Sequence, residues 1–208
     1  MPTSRGRVII YLTLLAVFII AQPIATQTWG ATEARYGDQN IEQWAGTIGG
    51  DLVQAYAKIT ISGPIVIQSV SIYLQYAGSD GSQCMMFGVY KDDGSGSPAG
   101  QSLVAATQNG YCLHGSASWG PAWQTWSLLS SDYLTISEPG DYWLCTLAKQ
   151  TFGSIYHYAY TGDYDYKYGY ANYFFAAPYS DGFPTTFSSN PAWEGNAPYS
   201  FYVIGVPA

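Results

Sequence analysis

Nine of the twenty tyrosines in this chain fall within SIYHYAYTGDYDYKYGYANYFFAAPYSDGFP, residues 154 to 184. Phenol rings at such density can do three things. They can stack against the apolar C–H face of a pyranose while the hydroxyl adds a polar handle, fill a core, or join one subunit to the next. Alternation along a strand puts Tyr156, Tyr158 and Tyr160 on one face. After Gly162 it puts Tyr164, Tyr166, Tyr168 and Tyr170 on one face as well. The opposite face carries His157, Ala159, Asp165, Lys167 and Gly169, too small and polar a set to build a core, so much of the tyrosine face is predicted to be buried. Tyr164, Tyr166, Tyr168 and Tyr170 remain candidate ligand-binding residues, together with Trp119 and Trp123, which flank GPA in a predicted loop. Trp143, in DYWLC, reads as structural.

Other chemistries find less to work with. Glycoside hydrolysis needs two facing carboxylates, and Asp163 with Asp165, or either with Asp181 or Glu194, is the pair on offer. Asp163 and Asp165 sit in a turn-like TGDYDYKYG, where acids are ordinarily solvated. His114 and His157 are the two histidines, and no Ser or Cys nucleophile motif accompanies them. The chain is therefore read as non-catalytic, with no catalytic residues assigned. Calcium is the one cofactor the acids suggest, since it takes hard oxygen donors from loops. KDDGSGS offers Asp92 and Asp93, and GDYD offers Asp163 and Asp165, although turn formation accounts for the same residues.

The elements that must position these groups are strands. Helical periodicity is scarce after residue 45, and short β-branched and aromatic runs recur between Gly, Pro, Ser and Asp clusters. QAYAKITIS, IVIQSVSIYLQYAG, QCMMFGVYKDD, QSLVAATQNGYCL, WQTWSLL, YLTIS, YWLCTLA and YSFYVIGV read as strands. In the second of these, Val66, Gln68, Val70, Ile72 and Leu74 share a face. Eight or nine strands predict an all-β fold, an antiparallel β-sandwich of jelly-roll type. A hairpin folded about GSGSPAG, residues 94 to 100, makes paired positions sum to roughly 196, which sets Cys84 opposite Cys112 and predicts a cross-strand disulfide. Cys145, in an apolar strand, reads as a buried inert thiol.

Arg5 and Arg7 precede the apolar run VIIYLTLLAVFIIA, so residues 1–26 read as a signal peptide or an N-terminal anchor and the remainder as extracellular or cell-surface. Residues 27–50 form an N-terminal extension, a candidate exchanged strand, and 51–208 the sandwich domain. Beyond the leader all fourteen acids remain against Arg35, Lys58, Lys91, Lys149 and Lys167, a balance that excludes nucleic acid as a partner.

The order of AKITISGPIVIQSVSIYL, FGVYKDDGSGSPAGQSLVA, WQTWSLLSSDYLTISEPGDYWLCTLA and YSDGFPTTFSSNPAWEGNAPYSFYVI resembles the secreted anchor-type, carbohydrate-binding-like β-sandwich modules of bacterial and archaeal surface proteins. That resemblance, from about Gln54 to Val206, implies a non-catalytic jelly roll used for binding, adhesion or display, and carries no catalytic residues. The tyrosine content from Tyr156 to Tyr173 exceeds that pattern, and no enzyme is attached. Two functions are expected: a binding or adhesion module recognising polysaccharide or a cell-surface component through aromatics, or a self-associating subunit of an extracellular filament or surface layer assembled by strand exchange.

Overall fold

The computed structural model describes residues 32–40, 44–76, 83–113, 119–149, 154–157, 171–196 and 199–208. Fourteen strands lie among them: β1 Ala34–Gly37, β2 Trp44–Thr47, β3 Leu52–Ile61, β4 Ile65–Tyr76, β5 Cys84–Asp92, β6 Leu103–Ala106, β7 Tyr111–Cys112, β8 Trp119–Ser127, β9 Leu134–Ile136, β10 Gly140–Ala148, β11 Ser154–His157, β12 Ala171–Ala176, β13 Ala192–Asn196 and β14 Phe201–Pro207. They form two antiparallel sheets, so the predicted β-sandwich is what the chain adopts. The number exceeds the expected eight or nine because several short strands, β1, β2, β11 and β13 among them, join the long ones, and because 101–113 divides into β6 and β7.

β4 organises the first sheet. It pairs with β14 and β11 along one edge and with β9 and β8 along the other, and β1 and β2 extend the sheet beyond β14 and β11. The second sheet runs β13-β12-β3-β10-β5-β6, with β7 also on β5. Successive strands change sheet repeatedly, β3 to β4 to β5 for example, which is the jelly-roll habit.

Between the sheets lies a core in which Tyr56, Ile59 and Ile61 of β3 meet Ile67, Val70, Ile72 and Leu74 of β4, Phe87 and Val89 of β5, and Phe201 and Val203 of β14. The face expected for β4 holds only for its second half. Ile65 and Ile67 are buried, whereas Val66 and Gln68 are only half-buried. The reason is a bulge: β14 residues Ile204 and Gly205 pair with Ser69 and Ile67, leaving Gln68 as the extra residue that reverses the parity.

The hairpin register places Cys84 directly opposite Cys112, and the two form the predicted disulfide. Cys145 is a buried free thiol whose proton affinity is raised by desolvation, as the sequence led us to expect.

A second core, unforeseen in the sequence, lies on the outer face of the second sheet. Val53, Ala55, Met86, Tyr90, Trp143, Cys145 and Leu147 are covered there by Ala177, Phe187 and their neighbours in the segment that follows β12. β10 is buried on both faces for this reason, with Tyr142 and Leu144 turned to the first core and Trp143 and Cys145 to the second. The covering segment is fastened by backbone bonds from Leu103 N to Thr185 O (2.8 Å) and from Phe187 N to Gln101 O (2.9 Å). Tyr90 Oη also donates to Pro184 O, at 2.6 Å.

Candidate functional site

The outer face of the first sheet has no comparable cover among the described residues, and it carries aromatic side chains. Parity on β4 turns Ile72 and Leu74 inward and Tyr73 outward; on β14 it turns Phe201 and Val203 inward and Tyr202 outward. Register then sets Tyr202 beside Ser71, Ser71 beside Thr125, and Tyr73 beside Trp123. The indole of Trp123 leans across β4: its ring lies 5.5 Å from that of Tyr73 and 4.9 Å from that of Tyr202, at interplanar angles of 64° and 60°. Ser71 has the small side chain this crossing requires. It is fully buried, and its Oγ shares a 2.8 Å hydrogen bond with Thr125 Oγ1.

At the β1 edge the exposed Arg35 lays its guanidinium over the Tyr202 ring, 5.2 Å from the centroid, and donates to Gln39 Oε1 at 3.4 Å. The resulting corner contains half-buried Tyr73 and Trp123, a nearly covered Tyr202 and a cation. Rings set about edge-to-face form a faceted aromatic cluster.

Trp119 and Trp123 lie in a strand, β8, where a loop was expected. β8 is an edge strand carrying one extra residue opposite Leu74 to Tyr76, and that bulge admits Pro121, which has no N–H to give to a ladder. Trp119 pairs with Tyr76 in register. Tyr164, Tyr166, Tyr168, Tyr170, Asp163 and Asp165 lie outside the described residues, as does His114. Of the tyrosine-rich segment, Tyr173 is half-buried with its ring 5.8 Å from that of Trp143, and its Oη donates to Gly96 O at 3.3 Å.

The two acids offered for calcium at the hairpin are both taken up by the protein itself. Asp92, buried on β5, forms an ion pair with Lys58 of β3, and its Oδ1 accepts from Gly94 N at 3.1 Å. Lys58 also meets Asp141 Oδ2 at 3.2 Å, and Thr60 Oγ1 donates to Asp141 Oδ1 at 2.7 Å. Asp141 is held below the usual carboxylate range by Thr60 and Lys58; Lys58 is desolvated, yet its two acids raise it. Asp93 caps the turn through Ser95 N at 2.9 Å. Among the described residues no three His, Cys, Asp or Glu side chains come together as a metal site would need.

A further acid, missed in the sequence, fixes a corner of the sandwich. Asp132, buried in the 3₁₀ turn Ser130–Asp132, accepts from Gln108 N (2.9 Å), Asn109 Nδ2 (2.9 Å) and Tyr111 Oη (2.8 Å), and Tyr111 Oη in turn accepts from Leu129 N (2.9 Å). Burial alone would raise the Asp132 carboxyl, but these donors outweigh it and hold it below the ordinary range. The Tyr111 phenol, desolvated and bonded to that carboxylate, is pushed up to about 12.

No protein-family model and no curated protein matches the sequence.

Proposed function

We propose that the chain is a non-catalytic binding module that recognises a polysaccharide or another glycan-bearing surface through the Tyr73–Trp123–Tyr202 corner. The observation that carries this reading is the contrast in cover. Two aromatic rings, Tyr73 and Trp123, stand half-buried on an outer sheet face beside the nearly covered Tyr202 and the exposed Arg35. The angles of about 60° between rings suit a single, twisted glycan chain that meets one ring face at a time; a flat crystalline polysaccharide would call for coplanar rings. Arg35 would donate to ring oxygens or hydroxyls, with Gln39 beside it. Export from the cytoplasm belongs to the same reading and rests on the leader-like residues 1–26. Calcium has no part in it at Asp92 or Asp93, and the tyrosines at 164–170 are not required.

The test is retention of the folded protein on a panel of soluble and insoluble polysaccharides, with Trp123→Ala and Tyr73→Ala beside the parent. Retention lost in both variants supports the corner, and retention untouched by either removes it.

A second reading is assembly by strand exchange. It is favoured by β1, a four-residue strand that among the described residues pairs with β14 alone. Gly37 closes β1 at φ 113°, where a Cβ would stand 2.5 Å from Phe201 O, so the strand ends on a close backbone fit. Oligomers that disappear on deleting residues 27–46 would favour this reading, whereas a clean monomer counts against it.

A further inference from the structure

The segment covering the second core is keyed into the sheet at two glycines. Phe183 lies on Gly88, where an added Cβ would stand 2.7 to 2.9 Å from its ring atoms, and Tyr179 Oη occupies the place a side chain would take at Gly110. Between these keys Ser180, Asp181 and Gly182 border a cleft. Gly182, at φ +72°, makes the turn that brings Phe183 down. The open cleft so formed measures about 220 Å³ and is lined by those three residues, Phe183, Met86 of β5, Leu103 and Ala106 of β6, and Thr107 and Gln108.

We propose that this cleft is a second binding site, separate from the aromatic corner, that takes a single neutral sugar ring. Its volume falls below the roughly 300–1,000 Å³ of sites for drug-sized ligands and suits one ring in place of a chain. Phe183 and Met86 supply a small apolar part of a mostly polar lining, where the C–H face of a pyranose would rest. The rim is polar: the exposed carboxylate of Asp181, which already accepts from Ser180 Oγ at 3.0 Å, and the exposed amide of Gln108. A carboxylate accepts from vicinal hydroxyls and an amide both gives and accepts, which is the pattern that neighbouring sugar hydroxyls satisfy. Anionic ligands are disfavoured, since the cleft's one charge is Asp181 and the chain carries a net −7. YSDG is thus the stretch of sequence that builds the site, although its motif gave no sign of a cleft.

The chain contains an internal control for the test. Of its three methionines, Met86 lines the cleft and Met85, its neighbour, is fully buried in the core between the sheets. With ¹³C-methyl-labelled methionine, titration with the methyl glycosides of glucose, galactose and mannose should move the Met86 resonance and leave Met85 still for at least one of them. The expected Kd is on the order of a millimolar, as so few ligand atoms allow. Asp181→Ala should weaken that response about tenfold or more, the scale on which a charge-assisted hydrogen bond acts. Ala106→Leu should abolish it by filling the cleft, with the Met85 signal reporting that each variant remains folded. No shift at Met86 with any of the three, a shift surviving both substitutions, or a shift with choline alone would overturn the proposal. Loss of polysaccharide retention in Trp123→Ala with the Met86 response intact would keep the two sites apart.

Discussion

The two outer faces of this sandwich differ in how far the described chain covers their aromatic side chains. On the second sheet, Tyr90 and Phe175 each meet Phe187 edge-on at 5.2 and 4.7 Å, and Trp143 meets Tyr173 in the same way at 5.8 Å. There the hydroxyls of Tyr90 and Tyr173 are consumed by carbonyls of the covering segment and of the hairpin turn. On the first sheet, Tyr73, Trp123 and Tyr202 adopt similar edge-to-face angles, yet two of the three are only half-buried. Ring geometry therefore does not separate packing from recognition. What differs between the two faces is whether another described stretch of the chain lies on top.

That contrast can be broken most forcefully from the covered side. Phe187→Ala removes a fully buried ring from the second core and should cost about 3–5 kcal/mol, the usual range for such truncations. It should also release the covering segment, so that Cys145, now inert, reacts with a thiol reagent in the native state. Denaturant titration and labelling rates check both.

Next in size is the disulfide at the edge of the second sheet. Replacing Cys84 and Cys112 by serine removes a cross-link between residues 28 apart in sequence and should lower stability by roughly 3.5 kcal/mol on the loop-entropy account, read from denaturant midpoints.

A third effect is pH-dependent and belongs to the corner held by Asp132. Its folded carboxyl lies below the ordinary value, so the contribution is present above the unfolded carboxylate pKa of about 4 and is lost as pH falls through the folded value. Tyr111 runs the other way: raised to about 12, it contributes below the unfolded phenol pKa of about 10 and is lost as pH rises from there. Asp132→Asn, at a cost of about 1–3 kcal/mol, should flatten the acid limb of a stability-against-pH curve. A curve unchanged by that substitution would remove the clamp from the account.

The smallest structural effect is expected on the open face. Trp123→Ala should cost only about 1 kcal/mol, because the indole is half-buried on an edge strand. A loss as large as that of Phe187→Ala would mean that Trp123 is a packing residue, and the contrast between the faces would fail.

Much of this architecture was legible in the sequence. The long strands stood out by composition and punctuation, and the turn at 94–100 fixed the Cys84–Cys112 pairing through a sum of positions that the structure meets at that pair. Closer to the turn the sum slips to 194 and then 193, because the four residues 107–110 stand against only Met86 and Phe87, and Val104 is a further extra residue between the partners of Val89 and Tyr90. The second core was harder to see. Its sign was YWLCTLA, apolar on both parities and therefore covered on both faces, but what covers it comes from a segment forty residues further on. β12 is masked in the sequence because ANYFFA continues the tyrosine run, and Tyr73 and Tyr202 are isolated in sequence and come together only after β4, β8 and β14 have paired. Trp123 alone of that corner was singled out, because tryptophan is conspicuous anywhere.

The central claim, that the uncovered aromatic corner is where this protein meets its ligand, is tested most directly by affinity electrophoresis of parent and Trp123→Ala through gels containing individual soluble polysaccharides, with matched unfolding curves for the two proteins. The account predicts that at least one polysaccharide retards the parent and that the substitution abolishes the retardation while the fold persists. Free migration of the parent through every gel, or equal retardation of both proteins, would contradict it.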